Sequence, residues 1–66
     1  MATECLLQAE QRIVHPFLGA GIVKDTEYIE DIGWVAGVLW EKTGQVHDHL
    51  ANSLANQLVK EGEGSP

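Results

Sequence analysis

Alternating hydrophobic and polar positions in the middle of the chain predict a small β-sheet. The clearest strand covers residues 34–41, which read Trp-Val-Ala-Gly-Val-Leu-Trp-Glu. Both alternating sets of side chains in this segment are apolar, which is typical of a central strand that is covered on both faces. Trp40 falls on the same face as Val38, and we expect both side chains to lie in the core.

Two shorter extended segments precede the central strand. Residues 12–14 end at the His-Pro pair of residues 15–16, because the residue before proline is pushed out of the α region and proline cannot donate to a strand ladder. Gly19 and Gly21 then offer positions without a Cβ, which suit a sharp corner before residues 22–26 resume extended structure. We expect at least one of these glycines to have a positive φ or to touch neighbouring backbone.

A hairpin follows the central strand through a turn that contains glycine. Residues 45–50 alternate again, so they are predicted to be a strand paired with the central one. We predict that Val46 and Leu50 face the core and that His47 and His49 point away from it.

The segment from residue 51 to residue 59 fits two structures. Leu50, Leu54 and Leu58 have a helical spacing, which favours one amphipathic helix. The asparagines and the serine favour turns over helix interiors. Of the two, we predict a short turn followed by a last strand, with the helix as the open alternative.

These elements together predict an all-β fold, a small SH3-like or Tudor-like barrel of four to six short antiparallel strands, with a short helix or 3-10 turn near the C-terminus as an option. Residues 12–59 form the barrel. Residues 1–11 precede it as a strand or a helical turn, and residues 60–66, rich in Gly, Glu, Ser and Pro, form a disordered tail. The predicted core consists of Ile13, Leu18, Val23, Val38, Trp40, Val46 and Leu54.

Chain length and composition argue against an enzyme. A chain of 66 residues forms one domain, and such a domain buries only about 60% of the surface of its unfolded form. So small a core leaves little space for a walled substrate pocket. The single cysteine, Cys5, cannot form an internal disulfide, and no leader or membrane-spanning stretch is evident, so we expect a cytoplasmic protein with no cofactor and no membrane contact.

The charge balance indicates the kind of partner. Ten acidic residues against four basic ones give a formal net charge of −6, and the basic residues are scattered singly. Nucleic-acid affinity comes largely from neutralised phosphates, so this balance argues against binding to DNA or RNA. A protein partner with a basic surface fits it better, and a nucleic-acid-binding barrel is the alternative.

One segment resembles a known family. It reads Ile13-Val14-His15-Pro16-Phe17-Leu18-Gly19-Ala20-Gly21-Ile22-Val23. This is similar to V-x-H-P-x-F-G-x-G-x-V, the pattern that opens the Tudor-like C-terminal domain of UvrD/PcrA-type helicases. A looser version opens the RNA-polymerase-interacting domain shared by CarD and the transcription-repair coupling factor.

The resemblance implies a docking role in transcription or DNA repair. In that family the module binds protein, notably RNA polymerase, so the implied partner is RNA polymerase or a helicase, and His15, Pro16, Gly19 and Gly21 are the structural motif. The lysines that are common in helicase-attached copies are missing here, which favours protein over nucleic acid. We therefore expect a non-catalytic adaptor, inhibitor or subunit.

The candidate partner-binding residues combine aromatic and acidic side chains. Residues 28–33 are predicted to be a loop that precedes Trp34, and Trp34 at its strand end is predicted to be the most exposed aromatic. An acidic and aromatic surface of this kind would suit a basic partner. The predicted contact residues are Trp34, Phe17, Tyr28, Glu27, Glu30 and Asp31.

Two other kinds of site are weaker alternatives. His47 and His49 could hold a metal with Asp48 or Cys5, but a structural zinc site needs four well-spaced ligands. The four aromatic side chains could form a cage for a methylated lysine or arginine, although core packing is the simpler role for Trp40. We predict that His15 caps its own turn rather than binding a metal.

Overall fold

A computed structural model describes residues 4–59 and shows a curved antiparallel sheet that packs against one short helix. The strands are β1 (Arg12–His15), β2 (Gly19–Ile29), β3 (Gly33–Trp40) and β4 (Gln45–Leu50). They lie in the sheet in chain order, and the helix α1 (Ala51–Ala55) follows β4 directly. The prediction of a small all-β fold is confirmed, with four strands in the described part of the chain.

A β-bulge bends the long strand β2 around the core. The register between β2 and β3 shifts between Val23 and Asp25, which leaves Lys24 as the extra residue. Such a bulge bends its strand and increases the local twist. At the bend, the N–H of Glu10 donates to the carbonyl of Val23 (2.6 Å), and the N–H of Val23 donates to the carbonyl of Gln11 (2.9 Å). The N-terminal segment is thereby held against the bent strand.

The core lies between the concave face of the sheet, α1 and the N-terminal segment. Five of the seven predicted core residues are buried, whereas Leu18 (39% exposed) and Val46 (55% exposed) are not, so the prediction is wrong for these two. Three buried residues were not predicted because two are small and one lies outside the periodic segments. The buried apolar residues are Leu7, Ile13, Val23, Ala36, Val38, Trp40, Ala51 and Leu54.

The predicted facing of β4 is inverted. His47 pairs with Val38 and His49 pairs with Ala36, so the two histidines belong to the core side of the sheet. Val46 and Leu50 take the outer side, where both are exposed. The two-residue period shows which side chains share a face but not which face is covered. The apolar residues misled the prediction because β4 is an edge strand with little covering on its outer side.

The C-terminal segment begins as a helix, so the predicted turn and last strand are wrong there. Ala51 and Leu54, three residues apart, are the buried positions of α1. Asn52 favours turns by its local propensity, but here it bonds to the N-terminal segment: its Oδ1 accepts the N–H of Leu6 (2.8 Å) and its Nδ2 donates to the carbonyl of Glu4 (3.1 Å). These tertiary bonds override the local preference.

The open edge of β1 is partly closed by the end of the described chain. The N–H of Val59 donates to the carbonyl of Val14 at 2.8 Å. This bond brings the C-terminal segment back to the first strand, so the sheet and the segment after α1 enclose the core in a barrel-like manner.

Two segment predictions change with the structure, and one is not covered by it. The predicted loop at residues 28–33 is shorter, because β2 continues to Ile29 and β3 begins at Gly33. Residues 4–11 form turns and irregular structure without a strand. The predicted tail, residues 60–66, lies outside the described residues. Within residues 4–59, no helix is long and apolar enough to cross a membrane.

Candidate functional site

The side chain of His15 fixes the corner between β1 and β2. Its Nδ1 accepts the backbone N–H of Phe17 (3.0 Å) and that of Leu18 (3.1 Å). Because Nδ1 accepts, the proton of the neutral ring lies on Nε2, which donates to Oε1 of Gln57 at 3.1 Å. His15 is buried, and its predicted role as the cap of its own turn is confirmed.

The two motif glycines are needed for the same corner, as predicted. Gly19 has φ +86°, in the left-handed region that favours glycine. A Cβ on Gly21 would lie 2.8 Å from Cε3 of Trp40 and 3.0 Å from the carbonyl oxygen of Leu39. The corner therefore packs directly on β3.

This corner presents an aromatic ring to solvent. Phe17 is 83% exposed, the most exposed aromatic side chain of the described residues, and its ring centroid lies 6.0 Å from that of His15. The prediction that Trp34 is the most exposed aromatic is wrong, since Trp34 is only partly exposed and packs against the core.

A pocket of about 290 Å³ lies beside Phe17. It is formed by three segments: the corner, the turn after β3, and β4. Its apolar lining is Phe17, Leu18 and Trp40, and its polar lining is Lys42, Thr43, His47 and His49. This site does not follow from the sequence, because residues 17–18, 40–43 and 47–49 carry no joint motif.

Trp40 and His49 form a polar contact at the pocket. The indole Nε1–H of Trp40 donates to Nε2 of His49 at 3.1 Å, and the two rings meet edge to face with centroids 5.6 Å apart. Burial lowers the pKa of His49 from its usual 6.5, and the nearby His47 and His15 lower it further. Protonation at Nε2 would remove the acceptor, so the contact requires the neutral ring.

We expect His49 to make stability depend on pH. The lowered pKa means that the unfolded chain takes up this proton more readily than the folded one, so the free energy of unfolding is highest above pH 6.5 and decreases as the pH falls below that value. Urea unfolding at a series of pH values measures this. The substitution His49→Gln keeps an acceptor for Trp40 and removes the titration, so its stability should vary less over that range. Identical pH profiles for the two proteins would contradict the expectation.

The other predicted contact residues meet at the β2–β3 turn. Tyr28 pairs with Trp34 across the two strands, and their rings meet edge to face with centroids 5.4 Å apart. Tyr28 is 48% exposed, and Ile32 at the turn is also exposed. Ile32 was not predicted because a single aliphatic residue in a loop carries no pattern.

The three predicted acidic residues do not all share one side. Glu30 and Asp31 lie in the turn, and Asp31 has φ +78°. Glu27 pairs with Val35, so it falls on the opposite face of the sheet from Tyr28. Within residues 4–59, none of the three forms an ion pair. We define the hairpin-tip surface as Tyr28, Glu30, Asp31, Ile32 and Trp34.

The four aromatic side chains fall into two separate groups. Trp34 and Trp40 are six residues apart along β3, which corresponds to about 20 Å. Tyr28 contacts Trp34 at one end, and Phe17 lies beside the Trp40 pocket at the other. The geometry therefore does not support an aromatic cage, and it separates Phe17 from the other predicted contacts.

The metal-binding alternative gains no support from the described residues, and the comparisons with known proteins place the chain in no family. Among residues 4–59, no group of three or more His, Cys, Asp or Glu side chains is arranged to hold a metal ion. No protein-family model, curated protein or solved structure matches the chain.

Proposed function

We propose that the protein is a non-catalytic docking module that binds a protein partner with a basic surface through the hairpin-tip surface. One observation carries this proposal. The exposed apolar side chains of Tyr28 and Ile32 lie at the same turn as the carboxylates of Glu30 and Asp31, which have no cation partner within residues 4–59.

The aromatic pair suits the role of a binding anchor. Protein interfaces depend on a few well-packed aromatic residues, and a side chain that is already ordered loses less entropy on binding. Trp34 packs against the core and holds the ring of Tyr28 edge to face, which supports an ordered anchor.

The charges of the chain favour a basic partner at this end. Arg12 lies 4.0 Å from Glu41, and Lys24 lies 4.0 Å from Glu10, so these two cations face acidic side chains elsewhere on the protein. Glu30 and Asp31 therefore add to the net charge of −6 without local compensation. Such a field steers a basic surface toward the tip and repels nucleic acid.

The motif at residues 13–23 supports a narrower choice of partner. Its resemblance to the helicase and RNA-polymerase-interacting domains makes RNA polymerase and UvrD-type helicases the first candidates. Cys5 is a free cysteine, which suits the reducing cytoplasm as the site of action.

The test compares charge-reversal variants that differ only in position. The partner is first captured on the immobilised domain and identified, with purified RNA polymerase core enzyme as the first direct probe. We expect Glu30→Lys with Asp31→Lys to weaken binding at least about tenfold, mainly through slower association, and to reduce its salt dependence. Surface plasmon resonance at several salt concentrations measures both effects.

The control variant Glu4→Lys with Asp48→Lys changes the net charge by the same amount at exposed positions away from the tip. It should weaken binding by less than about threefold, because salt screens exposed charges that lie more than a Debye length from the contact. Equal loss of binding in both variants would show a general charge effect. Unchanged binding in the tip variant, with loss on Lys24→Glu or Lys42→Glu, would contradict the proposal and favour an acidic partner such as nucleic acid.

A further inference from the structure

The pocket beside Phe17 differs in charge from the rest of the protein. The chain has ten acidic and four basic residues, yet the residues that line this pocket include Lys42, His47 and His49 and no carboxylate. The charged lining of the pocket therefore has the opposite sign to the net charge of the protein.

The fold directs the neighbouring carboxylates away from the pocket. Asp48 lies between the two histidines in sequence, but it pairs with Gly37 and so belongs to the outer face of the sheet. Glu41 precedes Lys42, and its carboxylate lies 4.0 Å from the guanidinium of Arg12. The pocket lining therefore contains cationic and imidazole groups and no carboxylate, although Asp48 still acts on His49 electrostatically.

The polar groups of the pocket can donate hydrogen bonds to an anion. The Lys42 ammonium has three donors, and each neutral imidazole has one N–H. The Nε2 of His49 accepts from Trp40, so the proton of its neutral ring lies on Nδ1 and remains available as a donor. His47 is exposed at the same site.

The apolar part of the pocket can hold a small ligand. Phe17, Leu18 and Trp40 form an apolar lining, and the volume of about 290 Å³ is at the lower limit for small-molecule sites. A short hydrocarbon chain or a single ring fits within such a space.

We propose that this pocket binds a small organic carboxylate with a short apolar body. The apolar body contacts Phe17, Leu18 and Trp40, and the carboxylate faces Lys42 and His47. This site is distinct from the hairpin-tip surface, so it can bind its ligand whether or not the tip binds a protein.

The experiment uses three probes of equal length and different charge. Hexanoate, hexanol and hexylammonium are titrated into the ¹⁵N-labelled protein, and the indole N–H signal of Trp40 is followed after assignment with Trp34→Phe. We expect saturable shifts with hexanoate, binding of hexanol that is weaker by about threefold, and still weaker binding of hexylammonium. Equal binding of hexanol and hexanoate, or tighter binding of hexylammonium, would overturn the proposal.

A matched pair of lysine variants tests the role of charge. Lys42→Glu should weaken hexanoate binding by about fivefold and leave hexanol binding unchanged, since the substitution reverses a charge at the pocket. Lys24→Glu makes the same change at the β2 bulge, away from the pocket, and should leave both affinities unchanged. Equal effects of the two substitutions on hexanoate would show that the pocket does not recognise the carboxylate.

Discussion

Replacing Gly21 with valine is expected to destabilise the domain by about 3 kcal/mol, because overpacking of a closed core forces side chains and backbone to shift. The new Cβ would lie 2.8 Å from Cε3 of Trp40, 2.9 Å from Cγ1 of Val38 and 3.0 Å from the carbonyl oxygen of Leu39. Trp40 and Val38 are buried, and the third atom is backbone, so none can move away freely. A domain of this size is stable by only about 3–10 kcal/mol, so the substitution should remove between about a third and all of that stability.

The neighbouring substitution Ala20→Val is the control for Gly21→Val. It adds a β-branched residue to the same strand on the opposite face, at a partly exposed position. It should change the free energy of unfolding by no more than about 0.5 kcal/mol. Urea unfolding followed by circular dichroism compares the two. Wild-type stability of Gly21→Val would show that the corner does not pack on β3 as described.

Trp40→Ala is expected to cost about 3–5 kcal/mol, the usual range for removal of a buried tryptophan. The indole is 3% exposed, and its ring lies 6.2 Å from that of His15 and donates to His49. The substitution leaves a cavity and removes the hydrogen-bond partner of His49. It should therefore also raise the pKa of His49 toward its usual value in any protein that remains folded.

Trp34→Ala is the matched control, since it removes the same side chain from the other end of β3. Trp34 is partly exposed, so its loss should cost less than that of Trp40. Thermal or urea unfolding of both variants measures the difference. A larger loss of stability on Trp34→Ala would contradict the position of the core.

Local rules predicted the four observed strands and the corner, but they also predicted a last strand where the helix α1 forms. The His-Pro step and the glycines act through their own backbone geometry, so the end of β1 and the corner before β2 follow from the residues alone. The central strand followed from its two apolar faces. The helix α1 did not follow, because the bonds of Asn52 to Leu6 and Glu4 span more than 40 residues and no local signal reports them.

The candidate site was harder to predict, because the whole sheet determines which face of each strand is covered and how far apart two side chains lie. Val46 and Leu50 looked like core residues by hydrophobicity, but no element covers them, and the histidines take the core side. Phe17 on the His-Pro corner is predicted as a second contact beside the Trp34 surface, yet the two residues lie at opposite ends of the sheet. Of the contacts at the hairpin tip, only the pairing of Tyr28 with Trp34 could be predicted from the sequence of the β2–β3 hairpin.

We propose that partner binding is located at the hairpin tip. The most direct measurement is a ¹H–¹⁵N correlation spectrum of the labelled domain titrated with the captured partner or with RNA polymerase core enzyme. We predict that shifts or line broadening concentrate at residues 28–34, while the signals of the corner at residues 15–18 and of Lys24 stay unchanged. Perturbation centred on the corner or on Lys24 and Lys42, with residues 28–34 silent, would contradict the account.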